Sequence, residues 1–110
     1  MFSEFTPNSL ADSSSFYAQT KPNPVPGLEV HDLASELLIY SLDLEVSVTL
    51  NASGQAIWIL CDGQSTIAEI ISSLAQHYGL SPEKIAPDVI TTITRLQQVG
   101  LLELSTQLSK

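Results

Sequence analysis

The feature that most constrains the fold of this chain is a change in the spacing of its apolar residues at Asn51. Between Leu44 and Leu50 apolar and polar residues alternate, so that Val46 and Val48 share one side with both ends of the segment. A period of two predicts a half-buried strand. Beyond Asn51 the apolar residues recur every three or four positions, and this spacing predicts helices that face a core.

Two shorter segments before this strand also have strand character. Leu28 to Asp32 alternates apolar and polar residues, and Glu36 to Leu42 contains an apolar run that predicts burial on both faces. The connections between the three segments are short, so we expect an antiparallel meander. Helices on one face of such a sheet would leave its third strand, Leu44 to Leu50, with an unpaired edge.

Helix start and stop signals divide the rest of the chain into three helices. Asn51 can cap a first helix that runs to about Cys61. Thr66, followed three residues later by Glu69, is a capping-box pattern that starts the second helix. That helix is predicted to end at Gly79, because glycine readily adopts the left-handed conformation of a helix C-terminus.

The third helix carries a proline in its interior. It begins at Ser81-Pro82, a cap followed by a first-turn proline, and runs towards Val99 before Gly100 stops it. Pro87 lacks the backbone donor that a helix interior uses, so we expect a kink or a break just before it.

These elements predict one α+β domain over residues 27–104, a three-stranded antiparallel sheet followed by three helices. Residues 1–26 include three consecutive serines and prolines at the alternating positions 22, 24 and 26. Prolines favour extended backbone and cannot join a helix interior. We therefore expect residues 1–26 to be a flexible tail and residues 105–110 to be a C-terminal tail.

The charge of the chain argues against nucleic acid as a partner. It has twelve acidic and four basic residues, a net charge of −8, whereas a nucleic-acid-binding surface needs clustered Lys and Arg to neutralise phosphates. Between residues 27 and 104 the basic residues are Lys84 and Arg95. The acidic field would instead attract a basic peptide or a basic protein surface.

Side chains that could support catalysis or metal binding are few. Cys61 is the one cysteine, in a helical apolar segment where a buried, unreactive thiol is expected. His31 and His77 have no spacing typical of a metal site. We therefore predict that the protein is not an enzyme and that it binds no cofactor. The lack of cysteine pairs predicts a reducing, cytoplasmic location, and the short apolar runs predict no membrane span.

The third helix has an apolar arc wider than one core contact requires. With Ile85 at zero and 100° per residue, its apolar residues cover roughly 180°, against roughly 100° for a surface helix. Two accounts remain open. The helix packs against two neighbours, or the flank around Ile90, Ile93 and Gln97 is an open groove beside the third strand. In the second account an extended peptide could add to that strand.

Three segments with fairly specific spacing suggest a family. They are Asn51-Ala52-Ser53-Gly54, Ile57-Trp58-Ile59-Leu60-Cys61-Asp62-Gly63 and Thr66-Ile67-Ala68-Glu69-Ile70. Together with Gly100-Leu101-Leu102-Glu103 they resemble the PqqD family, the peptide chaperones of pyrroloquinoline-quinone biosynthesis, whose fold is the RiPP recognition element. The resemblance covers roughly residues 27 to 104.

This resemblance implies a winged-helix-like domain that binds the leader segment of a ribosomally synthesised precursor peptide. The leader would lie antiparallel to the third strand, in a groove bounded by the third helix. The modifying enzyme that receives it would be a radical S-adenosylmethionine enzyme. Carried over to this chain, the leader-binding positions are Glu45, Val46, Ser47, Val48, Thr49, Leu50, Val89, Ile90, Ile93 and Gln97.

Two other functions remain as alternatives. One is a winged-helix DNA-binding protein, which shares this order of elements but needs a basic recognition helix. The other is an assembly module that binds a folded enzyme without a leader. For the leader-binding hypothesis, proline at Val48 is predicted to block strand addition if the backbone donor of Val48 serves the guest.

Overall fold

The computed structural model describes residues 16–106 and confirms an α+β fold with a three-stranded antiparallel sheet. Residues 16–19 form a short helical turn. The strands are β1 (Thr20–Pro24), β2 (Leu28–Asp32), β3 (Leu37–Ser41), β4 (Val46–Leu50) and β5 (Leu102–Thr106). The helices are α1 (Ala52–Leu60), α2 (Ile67–Tyr78) and α3 (Pro82–Gln98).

The predicted meander is the sheet β2-β3-β4, and β4 corresponds to the third strand of the sequence analysis. Both strand pairs are antiparallel, and β3 lies in the middle. Ile39 of β3 stands opposite Val48 of β4, and both are buried. The alternation in β4 therefore directs one set of side chains into the core and the other set towards solvent.

The predicted caps Asn51 and Thr66 make side-chain hydrogen bonds at the helix starts, whereas Ser81, the predicted cap of α3, makes none. Asn51 Oδ1 accepts a hydrogen bond from the backbone N–H of Gly54 at 3.0 Å and starts α1. Thr66 and Glu69 form a complete capping box at the start of α2, with bonds of 3.1 and 2.8 Å. Gly79 ends α2 in the left-handed conformation, with φ of 68°.

Helix α3 is continuous through Pro87, so of the expected kink or break, the break is wrong. Pro87 is the sixth residue of the helix, and the bond it cannot donate would reach Glu83 in the first turn. The loss is confined to one bond near the N-terminus. Four buried side chains, spaced along the whole helix, keep it packed on the core: Ile85, Val89, Ile93 and Leu96.

The expectation of a flexible N-terminal tail is wrong for residues 20–24, which form β1. This strand pairs antiparallel with β5, and Pro22 stands opposite Leu104. The predicted C-terminal tail likewise begins inside β5, which runs to Thr106. The rest of the two predicted tails, residues 1–15 and 107–110, lies outside the described residues.

The alternating prolines fit β1 because hydrogen-bonding positions also alternate in an antiparallel pair. Just past the strand, Val25 N donates to Leu101 O at 3.1 Å, so the odd-numbered residues of this segment face β5. Pro22 and Pro24 face away, and the carbonyl of Pro22 accepts from Gly63 N at 2.9 Å. At positions that face away from the partner strand, the backbone N–H that proline lacks would not have bonded to that strand, so no hydrogen bond between β1 and β5 is lost.

The core lies between the inner face of the β2-β3-β4 sheet and the three helices, and β1 and β5 close one side of it. Thr20 and Pro22 are among its fully buried side chains. Leu101 and Leu102 join the same apolar cluster. Both ends of the described chain therefore contribute to the core.

Replacing Thr20 with valine tests the packing of β1. The side chain is 0% exposed and its Oγ1 has no hydrogen-bond partner within the described residues. Valine removes this hydroxyl while keeping the shape, so we expect Thr20→Val to raise the free energy of unfolding by about 1 kcal/mol in urea titrations. Thr20→Ser keeps the hydroxyl but loses a buried methyl group, so it should lower the free energy of unfolding. Equal stability of all three proteins would contradict the burial of β1.

Candidate functional site

Strand β4 is an edge of its sheet. Within residues 16–106 it pairs with β3 alone, because β1 takes β5 as its partner. The proline-rich N-terminal strand therefore does not cover this edge. Ser47 and Thr49 are exposed, whereas Val48 and Leu50 are buried.

The hydrogen-bond pattern shows which backbone groups of β4 are directed outward. Leu33 N donates to Glu36 O at 2.7 Å in the β2-β3 turn. Because bonded and non-bonded pairs alternate along antiparallel strands, Leu38 and Tyr40 then bond to β2, and the residues between them bond to β4. Val48 is thus bonded to β3. The outward-directed donors and acceptors of β4 belong to Ser47 and Thr49.

This pattern corrects the sequence-based test at Val48. The N–H of Val48 is used by the ladder to Ile39. Proline there would damage the fold of the domain and would remove no donor from the free edge. Thr49 and Ser47 are the positions at which a proline removes an outward donor.

Both ends of β4 lie next to α3. At the β3-β4 turn, Ser41 Oγ accepts from Leu44 N at 3.1 Å, and the Leu44 side chain lies beside Gly100, two residues past the end of α3. A β-carbon built on Gly100 would stand only 3.1 Å from Leu44 Cδ1. At the other end of the strand, Asn51 shares a cavity with Asp88 of α3. The turn before the strand thus lies near the C-terminal end of the helix, and the residue after the strand lies near its N-terminal half.

The cavity beyond the end of β4 has a volume of about 260 Å³, and we call it the end cavity. It is lined by Asn51, Ser53, Gly54, Ile57, Pro87, Asp88, Thr91 and Thr92.

A second cavity of about 330 Å³, the apolar cavity, shares Ser53, Ile57 and Asp88 with the end cavity. Its other lining residues are Ala52, Leu74, Tyr78, Leu80, Ile85 and Val89. The two cavities are neighbours between α1 and α3.

The structure separates the predicted site residues into three groups. The exposed residues next to or on β4 are Glu45, Ser47 and Thr49, with Val46 half-buried. The residues buried in the core are Val48, Leu50, Val89 and Ile93. On α3, Ile90 is half-buried against the core and Gln97 is exposed. The side chains of Val89 and Ile93 are 0% and 1% exposed, so they do not form an open groove wall.

The flank of α3 that lines the end cavity is not the predicted flank around Ile90 and Gln97. Thr92 lines the end cavity next to Asn51. At 100° per residue, Ile90 is about 160° away from Thr92 around the helix, and Gln97 about 140° away. Ile90 and Gln97 therefore do not face the end cavity, and their role beside β4 stays a prediction. Helix α3 contacts α1, α2 and β5, so its wide apolar arc reflects packing against several neighbours.

The end cavity is lined by polar residues of α3 that the sequence analysis did not name, Asp88, Thr91 and Thr92. An apolar pattern could not identify them, since they lie outside the apolar arc.

Cys61 has the environment of an unreactive thiol. It is 2% exposed, and its Sγ lies 3.3 Å from the carbonyl of Ile57. Burial, with a smaller contribution from the Asp62 carboxylate, raises the pKa of Cys61 to about 12. The pKa of Asp62 itself is lowered, mainly because the backbone N–H of Gln64 donates to its carboxylate. A thiol that stays protonated is a poor nucleophile.

The histidines do not build a reactive site. His31 stacks on Tyr40 on the outer face of the sheet, with ring centroids 5.5 Å apart. His77 makes an edge contact with Tyr78 at the end of α2. Across residues 16–106 no group of three His, Cys, Asp or Glu side chains is arranged to hold a metal ion. Nor does any helix in this range combine the length and hydrophobicity that crossing a bilayer requires.

The fold and the free edge define a small α+β domain of the kind found in peptide recognition elements. Residues 36–102 match the family model for coenzyme PQQ synthesis protein D (PqqD). This match covers more than half of the chain, and the chain belongs to the PqqD family. No curated protein sequence gave a significant match.

Two solved structures have a similar fold. One is TbiB1 in complex with the TbiA(beta) leader peptide, with a TM-score of 0.64 at 18% identity over 80% of this chain and 99% of that chain. The other is the PqqD truncation of Methylobacterium extorquens PqqCD, described as a functional, stand-alone RiPP recognition element. Its TM-score is 0.61 at 23% identity, over 74% of this chain and 87% of that one. At these identities the similarity establishes the fold.

The raised pKa of Cys61 predicts a loss of stability at alkaline pH. The unfolded thiol ionises near its ordinary pKa of 9.0, whereas the folded thiol stays protonated to about pH 12. Between these values the unfolded state releases the proton first, so the free energy of unfolding should fall by about 1.4 kcal/mol per pH unit. Urea titrations from pH 8 to 11 measure this slope.

Cys61→Ala is the control for this slope. It should lower the stability at pH 8 because a small cavity forms, and it should lack the contribution of the thiol above pH 9. An identical pH dependence in both proteins would contradict the assignment to Cys61.

Proposed function

We propose that this protein is a non-catalytic chaperone that binds the leader segment of a ribosomally synthesised precursor peptide and presents it to a modifying enzyme. The leader adds as a fourth strand to β4, and its backbone bonds to the outward groups of Ser47 and Thr49. The observation that carries this proposal is the edge of β4, which has no strand partner within residues 16–106. Membership of the PqqD family, and a similar fold in TbiB1 with its leader peptide, support it.

The chemistry of the edge suits a peptide of varied sequence. Main-chain hydrogen bonds provide affinity in strand addition, and pockets beside the strand select side chains. In the proposed complex the residues Glu45 to Leu50 provide the edge. The α3 residues that border the guest are Asp88, Thr91 and Thr92, in place of Ile90 and Gln97. Val89 and Ile93 support this wall from the core.

The guest is proposed to run antiparallel to β4. The sheet that it joins is antiparallel in both of its strand pairs. Antiparallel ladders are slightly more stable per residue than parallel ones, and sheets of one kind are over-represented. This direction places the N-terminal end of the paired segment at Asn51 and its C-terminal end at Val46.

The partner enzyme is proposed to be of the radical S-adenosylmethionine type. Such chemistry needs an iron–sulfur cluster, which several cysteine thiolates hold. The 110 residues of this chain contain one cysteine, and Cys61 is buried. The chain would therefore supply recognition and the enzyme would supply the cluster, both within the reducing cytoplasm.

The net charge of −8 favours basic partners. We expect affinity for a leader that carries Lys or Arg to weaken as salt is raised, because screening reduces attraction between exposed charges. Calorimetric titration with the leader of a candidate precursor, with duplex DNA and with the enzyme alone separates the three functions considered. A binding heat in the titration with duplex DNA would favour the DNA-binding function. Binding of the enzyme, without any binding of the leader, would favour an assembly module.

Proline at Thr49 tests strand addition at β4. Thr49→Pro removes an outward backbone donor and leaves the ladder to β3 intact, so we expect the leader affinity to fall about tenfold. Val30→Pro is the matched control, because the N–H of Val30 is directed outward from the opposite edge, at β2.

Both proline variants should show the far-ultraviolet circular dichroism of the wild type. Fluorescence titration of a labelled leader measures the affinities. Loss of affinity in Val30→Pro with full affinity in Thr49→Pro would place the guest on β2 and refute the proposed edge.

Tryptophan substitutions on opposite flanks of α3 test which flank borders the guest. Thr92→Trp fills the end cavity beside β4 and should lower leader affinity at least tenfold by blocking the guest. Gln97→Trp places the same bulk about 140° around the helix and should leave the affinity unchanged. The reverse result would restore the flank that the sequence analysis predicted.

A further inference from the structure

The end cavity and the apolar cavity lie beyond the segment that pairs with a guest along β4. Pairing must stop near Asn51, because the chain leaves the sheet there and enters α1 at Ala52. Ser53, Ile57 and Asp88 line both cavities. A path therefore continues from the end of β4 through the end cavity into the apolar cavity.

The direction of the guest decides which of its residues meet these cavities. A guest antiparallel to β4 has its N-terminal end at Asn51. The residues that come just before the paired segment therefore pass the end cavity, and the next ones reach the apolar cavity. Extended backbone advances about 3.3 Å per residue, so a few residues are enough to cross a cavity of this size.

The lining of the apolar cavity selects the chemistry of the side chain it can accept. Leu74, Leu80 and Val89 belong to its wall, and Leu80 is 48% exposed to solvent at its rim. Its volume of about 330 Å³ is at the lower end of the range for ligand pockets. Such a pocket suits one large apolar or aromatic side chain.

Asp88 is the one charged residue in the lining of either cavity. It is exposed, and within residues 16–106 its carboxylate takes part in no ion pair. A carboxylate at the junction of the two cavities can bind a Lys or Arg side chain of a peptide that passes it.

We propose that the apolar cavity takes a large apolar side chain from a guest residue just N-terminal to the segment paired with β4, and that Asp88 binds a Lys or Arg next to it. This inference rests on the proposed strand addition at β4. The guest peptide would then be recognised outside its pairing with β4 as well. Its sequence would carry a large apolar residue with a Lys or Arg beside it, followed by the extended segment that pairs with β4.

Selection from a displayed library of random peptides on the full chain tests the proposed order. We expect enriched peptides to carry an apolar or aromatic residue, with Lys or Arg beside it, on the N-terminal side of a β-prone segment. The strongest of these peptides, synthesised with a fluorescent label, then serves as the probe for titrations.

Ala52→Trp tests the cavity directly. Ala52 is the exposed first residue of α1. It lines the apolar cavity and not the end cavity, so a tryptophan at this position should fill the apolar cavity. Burial of a large apolar side chain contributes about 1.5–3 kcal/mol, so we expect the probe to bind roughly 10- to 100-fold more weakly. Ala68→Trp is the matched control. It also lies in the first turn of a helix, but it lines a different cavity, beside Tyr17 and Pro82.

Asp88→Asn tests the ion pair. We expect the affinity for the probe to fall about two- to fivefold, as for an exposed pair. The loss should disappear when the basic residue of the probe is replaced by glutamine. Equal loss with both probes would overturn the role of Asp88 as the partner of that residue.

The outcomes separate this inference from the function on which it rests. Absence of any selected peptide, or binding unaffected by Thr49→Pro, overturns the proposed function. If Thr49→Pro weakens binding of the probe but Ala52→Trp does not, the proposed role of the apolar cavity is overturned and the proposed function stands. Enrichment of the apolar residue on the C-terminal side of the β-prone segment overturns the proposed order, because it would require a parallel guest.

Discussion

The pairing of β1 with β5 decides which backbone groups of this domain remain available. Had the N-terminal strand joined the larger sheet, the outward donors of Ser47 and Thr49 would have been used within the chain. Instead β1 bonds to β5 and, through the carbonyl of Pro22, to Gly63. Its prolines suit this position because their missing donors face away from β5. Strand β1 thus closes the core, and within residues 16–106 one edge of β4 has no strand partner.

A free strand edge is a liability for a soluble domain unless its side chains or neighbours discourage unwanted pairing. Here the exposed side chains on β4 are polar, Ser47 and Thr49, and the net charge of −8 makes copies of the chain repel one another. The same features favour a guest of opposite charge. Edge and charge together therefore support the binding of a basic, extended peptide over self-association.

The sequence identified the edge of β4 from a direct pattern, whereas the wall beside it was inferred from a less specific one. Alternation between Leu44 and Leu50 identified β4, and the short connections identified the meander, because both are local patterns. The wall on α3 was inferred from the width of an apolar arc, and that inference named Ile90 and Gln97. The arc is wide because α3 contacts several elements at once. A helix with several neighbours cannot show from its own sequence which side each one occupies.

Between residues 28 and 98 the sequence by itself determined the kinds of element, their order and the ends of the helices, but it predicted neither β1 nor β5. The capping box of Thr66 and Glu69, the left-handed Gly79 and the alternation of β4 depend on residues within a few positions of one another, so local physical chemistry sets them. Tertiary structure alone decided that residues 20–24 pair with β5, and that Asp88 and Thr92 stand beside the end of β4. These contacts join residues far apart in the chain, and their choice depends on how all the buried faces fit together.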